Sequence, residues 1–508
     1  MKNRTDQPTA KPALTKRPPG PFRPQAAAPP AKPSPPALVE SPPAPAKPNG
    51  NGNWNGNGSG QTPERVSASG LVHIADEAKI SAVPLHYYAE KSRWYAPNKR
   101  GGFGNLSDSQ AKSLVAEYGF HKSVKDDQGN APAERAQLWL IQSRAVAYAG
   151  LLAGYRAGSH EVDGGRILVT DSPRLVEPKP GQCATIRRLI ETMLADAAHP
   201  QADYFYLWAS ESFAAYWQRM GTPAPWPFRF CPALALFGPR QCGKSSLIEL
   251  VLAPLFGGRK ADPMNFLREP TFNKDLFAAS LLVLDDKGAS ASLTERRQRG
   301  EGIKDLIWKP EQRMEGKGAD AVMLRPFWRL VIAGNDDDTA LQVCPALSDS
   351  LKDKLLILRA QPAEGLPTTH EENDAWAAAI RAELPAFAAF LLGWRPPAGL
   401  ALDQRTRVAN FWHPELAALL RDMQPEMRLL ELIDGSGLID ADGGLWEGTA
   451  SQFERALRSK GGESSLDRLF TTSTSSGRML SELARMSPDR VKKTDRDGVS
   501  HYRIFSRK

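Results

Sequence analysis

The sequence predicts an α/β protein organised around an open sheet of alternating strands and helices. Three observations support this prediction: apolar runs at 231–237, 280–284 and 329–333, separated by stretches with helical patterns. Such alternation is typical of βαβ units. Each run leads directly into glycine, carboxylate or amide residues, so we expect chemistry at the ends of these strands.

The first apolar run leads into the pattern G-x-x-x-x-G-K-[ST] at 238–245. Glycines let a backbone fold tightly around a polyphosphate, and the N–H groups at the start of a helix supply positive partial charge. In this pattern Lys244 contacts the β- and γ-phosphates, and the Ser245 hydroxyl binds Mg²⁺. The sequence therefore predicts a P-loop, AAA+-like ATPase core that uses ATP and Mg²⁺. The predicted nucleotide-binding residues are Gly238, Pro239, Arg240, Gln241, Cys242, Gly243, Lys244, Ser245 and Ser246.

The other two apolar runs end in polar residues of the kinds that ATP hydrolysis requires. Asp285 and Asp286 follow the second run, and Asn335 follows the third. We expect Asp285 to hold Mg²⁺ and Asp286 to polarise the attacking water. Asn335 would hydrogen-bond the γ-phosphate or orient that water. Each pattern alone also fits a strand that ends in a solvated turn; behind a phosphate loop, together they indicate hydrolysis.

Charge is unevenly distributed along the 508 residues, whose formal net charge is +8. Residues 1–66 carry nine Lys and Arg against three Asp and Glu, and residues 485–508 carry eight against three. Two positive ends favour a polyanionic partner, with nucleic acid the leading candidate, although basic ends can also be merely solubilising. Four scattered cysteines fit a reducing cytoplasm rather than a disulfide scaffold or a zinc site. We expect no signal peptide, membrane-spanning helix or membrane partner.

The composition and local patterns predict five regions. A disordered arm rich in Pro, Ala, Asn and Gly comes first, and a helical N-terminal region precedes the ATPase core. A helical extension and a winged-helix-like DNA-binding domain follow the core. The predicted bounds are 1–66, 67–205, 206–365, 366–410 and 411–508, with N-terminal helices at 108–120, 134–153 and 183–197.

Two basic hairpins are candidates for contact with DNA. A Gly-Lys-Gly tip at 316–318 would point Lys317 at backbone phosphates, or leave it as an ordinary exposed lysine. Near the C-terminus, helical patterns precede a hairpin whose turn signal is Asp497-Gly498, the arrangement of a winged helix. Winged helices bind DNA or dock proteins, and the basic wing favours DNA. Its predicted phosphate contacts are Arg490, Lys492, Lys493 and Arg496.

The order of these motifs resembles superfamily III helicases, and in particular phage and mobile-element ATPases related to the poxvirus-type primase-helicases. The resemblance covers about residues 140–508 and includes the stretches at 146–154, 315–318, 351–355 and 383–387. It implies a homo-hexameric ring that hydrolyses ATP between subunits and moves single-stranded DNA through its centre. It also implies that Lys354 reaches the neighbour's γ-phosphate, with Lys352 as a competing choice, where many members carry arginine.

These observations together predict an ATP-dependent DNA helicase of a phage or mobile element, acting in the cytoplasm of a bacterial host. No primase domain is recognisable, so a separate primase or polymerase is an expected partner. Two alternatives remain open from the residues alone. One is a replication-initiation or loader ATPase that binds DNA without unwinding it. The other is a non-catalytic DNA-binding protein that uses nucleotide as a switch.

Overall fold

The computed structural model describes residues 74–506, and all of them belong to one compact unit, Glu64–Lys508. Short internal segments are excepted from this description: 122–124, 126–128, 163–164, 223–225, 269–272, 286–292, 317–320, 338, 440–443, 461–465, 468 and 471–473. The predicted arm at 1–66 lies outside the described residues, as do Asp286 and Lys317.

Seventeen strands are present in the described residues. They are β1 (His86–Tyr88), β2 (Arg93–Pro97), β3 (Phe103–Leu106), β4 (Ala145–Val146), β5 (Tyr148–Gly150), β6 (Gly158–Val162), β7 (Gly165–Val169), β8 (Ala233–Phe237), β9 (Lys260–Ala261), β10 (Leu281–Leu284), β11 (Gln312–Met314), β12 (Val322–Leu324), β13 (Arg329–Gly334), β14 (Leu355–Arg359), β15 (Leu445–Thr449), β16 (Val491–Arg496) and β17 (Val499–Phe505).

The main helices of the described residues complete the secondary structure. They are α1 (Ile74–Ala82), α2 (Asp108–Glu117), α3 (Pro132–Arg144), α4 (Ala184–Met193), α5 (Gln201–Gly221), α6 (Lys244–Ser246, continuing through Leu247–Leu252 and Ala253–Leu255), α7 (Met264–Arg268), α8 (Lys274–Phe277), α9 (Leu293–Trp308), α10 (His370–Gly393), α11 (Pro414–Asp422), α12 (Pro425–Gly435), α13 (Ala450–Ser459) and α14 (Ser475–Met486).

A five-stranded parallel sheet forms the centre of the molecule, in the order β14-β8-β13-β10-β9. The four strands other than the short edge strand β9 are mostly buried on both faces, as expected of a parallel sheet covered by helices. Alternate side chains enter two separate hydrophobic clusters: Leu234 and Leu236 face α4, α5, α6 and α10, whereas Ala235 and Phe237 face α7, α9 and α11. The predicted α/β class with a parallel sheet is therefore confirmed.

Helix α6 changes its winding in the middle. It begins as an α-helix, has π-helical hydrogen bonding over Leu247–Leu252 and returns to α-helix. The Ala253 N–H donates to the Ile248 carbonyl, five residues back, and Pro254 has no N–H to donate. A wider turn at this point accommodates the proline ring without breaking the helix.

The N-terminal region contains sheets as well as helices, which corrects the helical prediction for 67–205. Two mixed sheets, each with parallel and antiparallel pairs, are present: one has the order β3-β2-β1-β4, and the other has the order β5-β7-β6. The helix predicted at 134–153 ends at Arg144, because Ala145–Val146 and Tyr148–Gly150 pair with β1 and β7 instead. Helix α2 begins at Asp108, where the sequence predicts it, after a capping box: the Ser107 hydroxyl accepts from the Gln110 N–H, and the Gln110 side chain accepts from the Ser107 N–H.

Helix α10 is long and apolar enough to cross a membrane when judged by length and composition alone. Core helices of globular proteins pass the same test, and its apolar residues, such as Ile380, Phe387 and Leu391, are buried in the cluster shared with α4 and α5. The helix is capped by Thr369, whose hydroxyl accepts from the Glu372 N–H.

The C-terminal module begins later than the sequence predicted. The sequence places residues 411–422 in this module, but Trp412 bridges to Ile357 of β14, and Leu416 and Leu420 of α11 pack into the core of the central sheet. The module itself comprises α12, α13, α14 and the antiparallel sheet β15-β17-β16 around a separate hydrophobic cluster. The predicted turn is confirmed, because Asp497 and Gly498 both have positive φ between paired β16 and β17.

Candidate nucleotide site

An open cleft of about 1310 Å³ lies along the carboxyl edge of the central sheet. The parallel register brings the ends of β8, β13 and β10 side by side there, which is where ligands bind in open α/β sheets. The cleft is lined by the predicted site residues Arg240, Gln241, Cys242, Gly243, Lys244, Ser245, Ser246, Asp285 and Asn335. Residues predicted from separate stretches of sequence thus share one cleft.

The backbone around the loop explains why positions 238 and 243 are glycine. A Cβ on Gly238 would lie 2.1 Å from the Ala360 carbonyl oxygen, because the Ala360 N–H donates to Phe237 across the adjacent strand. Gly243 has φ of +102°, a conformation that L side chains rarely adopt. Gln241 is also in the left-handed region, with φ of +58°. The loop is therefore a tight turn pressed against β14.

Lys244 is buried and holds the loop together from within. Its Nζ donates to the carbonyl oxygens of Gly238 and Pro239, each at 2.8 Å, and lies 3.3 Å from the Cys242 sulfur. The ammonium group therefore lies inside the loop at the start of α6. A phosphate placed there would meet this charge together with the N–H groups of the first helical turn.

Oxygen donors from three elements converge on the same cleft. Ser245 is exposed on the first turn of α6, Asp285 follows β10, and Asn335 follows β13. A hydroxyl, a carboxylate and an amide oxygen are the hard ligands that Mg²⁺ prefers. Asp286 lies outside the described residues, so its predicted role stays a prediction.

Several lining residues were not predicted from the sequence. Asp262 follows β9, a strand of two residues that is too short to give a periodic signal. Thr368 and Asn373, at the beginning of α10, close the cleft from the opposite side. A cap signal for α10 is visible in the sequence, but its position above the loop depends on tertiary packing.

A second polar cluster lies beside Pro239, on the other side of the loop. Asp196 Oδ2 lies 2.9 Å from His199 Nδ1 and 3.2 Å from His413 Nε2. The three side chains form a group that could hold a metal ion, yet the carboxylate already bonds to both rings, and we assign no metal to it. A hydrogen bond from the Ala198 N–H is the main cause that lowers the pKa of Asp196 to about 2, whereas burial lowers the pKa of His413.

The structure places Lys354 away from this cleft. It precedes β14, and its Nζ donates to Asp353 at 2.7 Å and lies 4.7 Å from the Trp308 ring centroid. The side chain is only 15% exposed. Lys352, in contrast, is exposed. Within one chain neither lysine contacts the cleft, so a role at a phosphate requires a second copy.

The four predicted DNA contacts of the C-terminal hairpin differ in availability. Arg490 is only 16% exposed, because it donates to the Asp434 carboxylate and the Phe505 carbonyl, and we correct its assignment to a structural ion pair. Lys492 and Arg496 remain on the outer face of the sheet. Arg496 lies 3.4 Å from Glu447, and Lys493 lies 3.9 Å from Asp495. Exposed pairs of this kind are weak, so these cations can exchange partners.

Sequence comparison gives one family match, and the matched range contains many of the residues that line the cleft. Residues 236–347 match the model of a family of unknown function, DUF5906. This segment includes the 238–245 loop, Asp285 and Asn335. No curated protein has a matching sequence.

Among solved structures, the chain is similar to apo forms of the NrS-1 C-terminal region. One is 14% identical with a TM-score of 0.46, covering 83% of this chain and 95% of that chain; another is 12% identical with a TM-score of 0.45 over the same shares. A further match is the JCV helicase bound to a thiazolopyridine compound, 12% identical with a TM-score of 0.24, covering 49% of this chain and 62% of that chain. The likeness is distant, so the function of this chain is argued from its own residues.

Proposed function

We propose that this protein is an ATP- and Mg²⁺-dependent DNA helicase that moves along single-stranded DNA as a homo-hexameric ring. One observation supports the proposal above all others. The buried Lys244, the exposed Ser245, Asp285 and Asn335 share a single cleft at the carboxyl ends of adjacent parallel strands. This is the arrangement in which a phosphate loop and a metal-binding carboxylate act on one nucleotide.

Hydrolysis in this proposal is an in-line attack by water on the γ-phosphorus. Asn335 orients the water and Asp286 accepts its proton, while the bond from phosphorus to the bridging oxygen breaks and ADP leaves. Lys244 and the loop N–H groups balance the charge on the transferring phosphoryl group. Ser245 and Asp285 would hold Mg²⁺, which neutralises charge on the β- and γ-phosphate oxygens.

The ring assembly would bring a lysine of one subunit to the cleft of the next. Lys352 is the more available of the two, since Lys354 is held by Asp353 and Trp308. A lysine provides a point charge there rather than the planar fork of an arginine. We also propose that Lys492, Lys493 and Arg496 of the C-terminal hairpin contact the DNA backbone without reading sequence, as does Lys317, which lies between β11 and β12 in the sequence.

The proposed setting is a phage or mobile element in the cytoplasm of a bacterial host, with a separate primase or polymerase as partner. This part of the proposal depends on the superfamily III resemblance. Co-purification of the tagged protein from its host would test for the partner, and recovery of neither a primase nor a polymerase would argue against it.

Substitution of Lys244 by Ala tests the ATPase assignment. We expect phosphate release to fall by at least about 100-fold, because one preorganised charge at a reacting group contributes roughly that much. The exposed Lys274 on α8 provides a matched control, and Lys274→Ala should hydrolyse ATP normally. Unchanged turnover in Lys244→Ala would show that the site lies elsewhere.

A forked-duplex assay separates the helicase from its alternatives. Strand separation that requires ATP and is lost in Lys244→Ala supports the helicase. Hydrolysis that DNA stimulates without strand separation supports the loader ATPase. Slow turnover indifferent to single-stranded DNA, with tight binding to one duplex sequence, supports the nucleotide-switched DNA-binding protein.

A further inference from the structure

A cavity of about 310 Å³ lies at the amino edge of the central sheet, opposite the nucleotide cleft. Arg329, the first residue of β13, lines it together with Phe228 and Arg229, which precede β8. Gln312 and Arg325, at the two ends of the β11–β12 hairpin, close another side. The cavity thus lies at the base of the hairpin that we propose to contact DNA.

Five aromatic side chains contribute to its wall. Tyr155 and Trp226 meet edge to face with ring centroids 4.8 Å apart, and Phe327 and Trp328 line the side nearest the sheet. Gly154 permits this packing: it has φ of +81°, and a Cβ there would lie 2.4 Å from the Phe327 Cβ. Aromatic walls of this kind suit a planar ring, which stacks on them whatever its substituents.

Arg219 places a positive charge within the aromatic wall. Its guanidinium lies 4.7 Å from the Tyr155 ring centroid and 4.5 Å from that of Trp226. One nitrogen donates to the Arg325 carbonyl, but the buried Nε has no hydrogen-bond partner. Burial lowers the pKa of Arg219 to about 10, so the group is still charged near neutral pH.

The remaining charges around the cavity favour an anion. Four arginines, Arg219 among them, and Lys309 line it with one carboxylate, Glu161. Lys309 and Arg325 are ion-paired with Asp305 and Glu311, and Glu161 is paired with Arg166, so the positive charge on the cavity comes chiefly from the other three arginines. Arg329 stacks on Phe327 with its guanidinium 4.3 Å from the ring centroid, and Arg229 donates to Gln218 at 3.0 Å. A ligand that combines a flat ring with a negative charge fits both the walls and this charge.

We propose that this cavity binds one nucleotide, with its base against the aromatic wall and its phosphate against the arginines. Its volume lies at the lower end of the range for small-molecule sites, roughly 300–1,000 Å³, which suits a single nucleotide. The same chemistry occurs in a free mononucleotide and in one unit of single-stranded DNA. Because the cavity lies at the base of the β11–β12 hairpin, we favour single-stranded DNA over a free mononucleotide as the source of the bound nucleotide. Only this choice of source rests on the proposed function.

Photocrosslinking of the full-length chain tests where the base lies. The probe is oligothymidylate carrying one 5-iododeoxyuridine, which crosslinks to aromatic side chains that it contacts. We expect crosslinks in peptides containing Trp226 or Phe228, and we expect excess unlabelled oligothymidylate to suppress them. Crosslinks confined to other peptides would overturn the proposal.

Affinity measurements with matched variants provide the second test. Phe228 and Tyr118 are exposed to nearly the same extent, 36% and 37%, but only Phe228 lines the cavity. We expect Phe228→Ala to weaken oligothymidylate binding roughly 5- to 100-fold, the range for loss of one base–aromatic stack, and Tyr118→Ala to leave it unchanged. Arg219→Gln should weaken it as well; equal affinities for all the variants would contradict the proposal.

Thymidine monophosphate distinguishes the two sources of the ligand. If the strand occupies the cavity, the mononucleotide competes only weakly with oligothymidylate. If a free mononucleotide is the ligand, it binds wild type and not Arg219→Gln, while the strand is not crosslinked at Trp226; the cavity proposal then stands and the DNA source fails. Wild type that binds neither probe would refute the cavity proposal, whatever its ATPase activity.

Discussion

The two edges of the central parallel sheet differ in almost every physical property. At the carboxyl edge, glycines and short polar side chains surround an open cleft of about 1310 Å³. At the amino edge, aromatic rings and arginines surround a cavity of about 310 Å³. The two sites share the same strands, since β8 and β13 run from one edge to the other.

This difference follows from the direction of the strands. The carboxyl end of β8 leads into the N-terminus of α6, whose free N–H groups favour anions, and the backbone itself forms the site. At the amino ends, the aromatic and arginine side chains of the described residues supply both the surface and the charge. A parallel sheet can therefore carry two sites of unlike chemistry without their residues competing for space.

The largest effect is expected from Asp285→Asn at the carboxyl edge. Loss of the carboxylate that would hold Mg²⁺ should lower ATP hydrolysis about 100- to 1,000-fold, while the fold and the amino-edge cavity stay intact. Phosphate release at saturating Mg²⁺ measures this. Asp275→Asn, on the exposed face of α8, is the control. Hydrolysis at the wild-type rate in Asp285→Asn would remove the metal role from this residue.

Gly238→Ala should be the most destabilising substitution in the loop. Its Cβ would meet the Ala360 carbonyl at 2.1 Å, and a backbone atom cannot move aside easily. We expect a loss of about 3 kcal/mol in the free energy of unfolding, together with loss of nucleotide binding. Urea denaturation measures the first and calorimetry the second. Gly221→Ala, which has open space around its Cβ, should cost less than about 0.5 kcal/mol.

Gly154→Ala is the corresponding substitution at the amino edge. The added Cβ would meet Phe327, and the positive φ is strained for alanine, so we expect destabilisation of about 2 kcal/mol. Oligothymidylate binding should fall, while nucleotide binding at the opposite edge should persist. Equal losses at both edges would show that the two sites are not independent.

The smallest expected effect is a pH dependence of the folding stability, which arises from His413 near the carboxyl edge. Burial lowers the pKa of His413 below its ordinary 6.5, so the unfolded chain binds a proton more readily than the folded one. Stability should hold above about pH 6.5 and decline as the pH falls through the folded-state value. Asp196, with a pKa of about 2, stays ionised over this range.

Thermal midpoints between about pH 8 and pH 5 measure the effect. His413→Gln should flatten the profile, and the exposed His370→Gln should not. A profile that is equally steep in all three proteins would assign the pH dependence to other groups.

The carboxyl-edge cleft could be predicted from the sequence because its residues follow strong local signals. The 238–245 loop, Asp285 and Asn335 each follow an apolar run within a few residues, and parallel pairing brings the ends of such runs together. The start of α2 at Asp108 and the Asp497-Gly498 turn are equally local features, since helix starts and tight turns depend on a few neighbouring residues.

The amino-edge cavity could not be predicted, because its walls come from residues far apart in sequence. Tyr155, Trp226 and Phe327 meet only after the N-terminal region has packed against the core. The strands β4, β5 and β9 are too short to show a periodic pattern in the sequence. At 145–153 the pairing of β4 with β1 and of β5 with β7 prevails over the helical pattern. The ion pair of Arg490 could not be predicted, because its partner, Asp434, is distant in the chain.

The π-helical turns at Leu247–Leu252 affect how this chain should be compared with its relatives. A π turn takes up extra chain relative to an α-helix while keeping both ends of the helix in place. A related sequence one residue shorter could therefore form a regular α-helix here and still present its lysine and serine at the same point. An alignment gap between 247 and 252 would mark a change in winding, not the loss of a site.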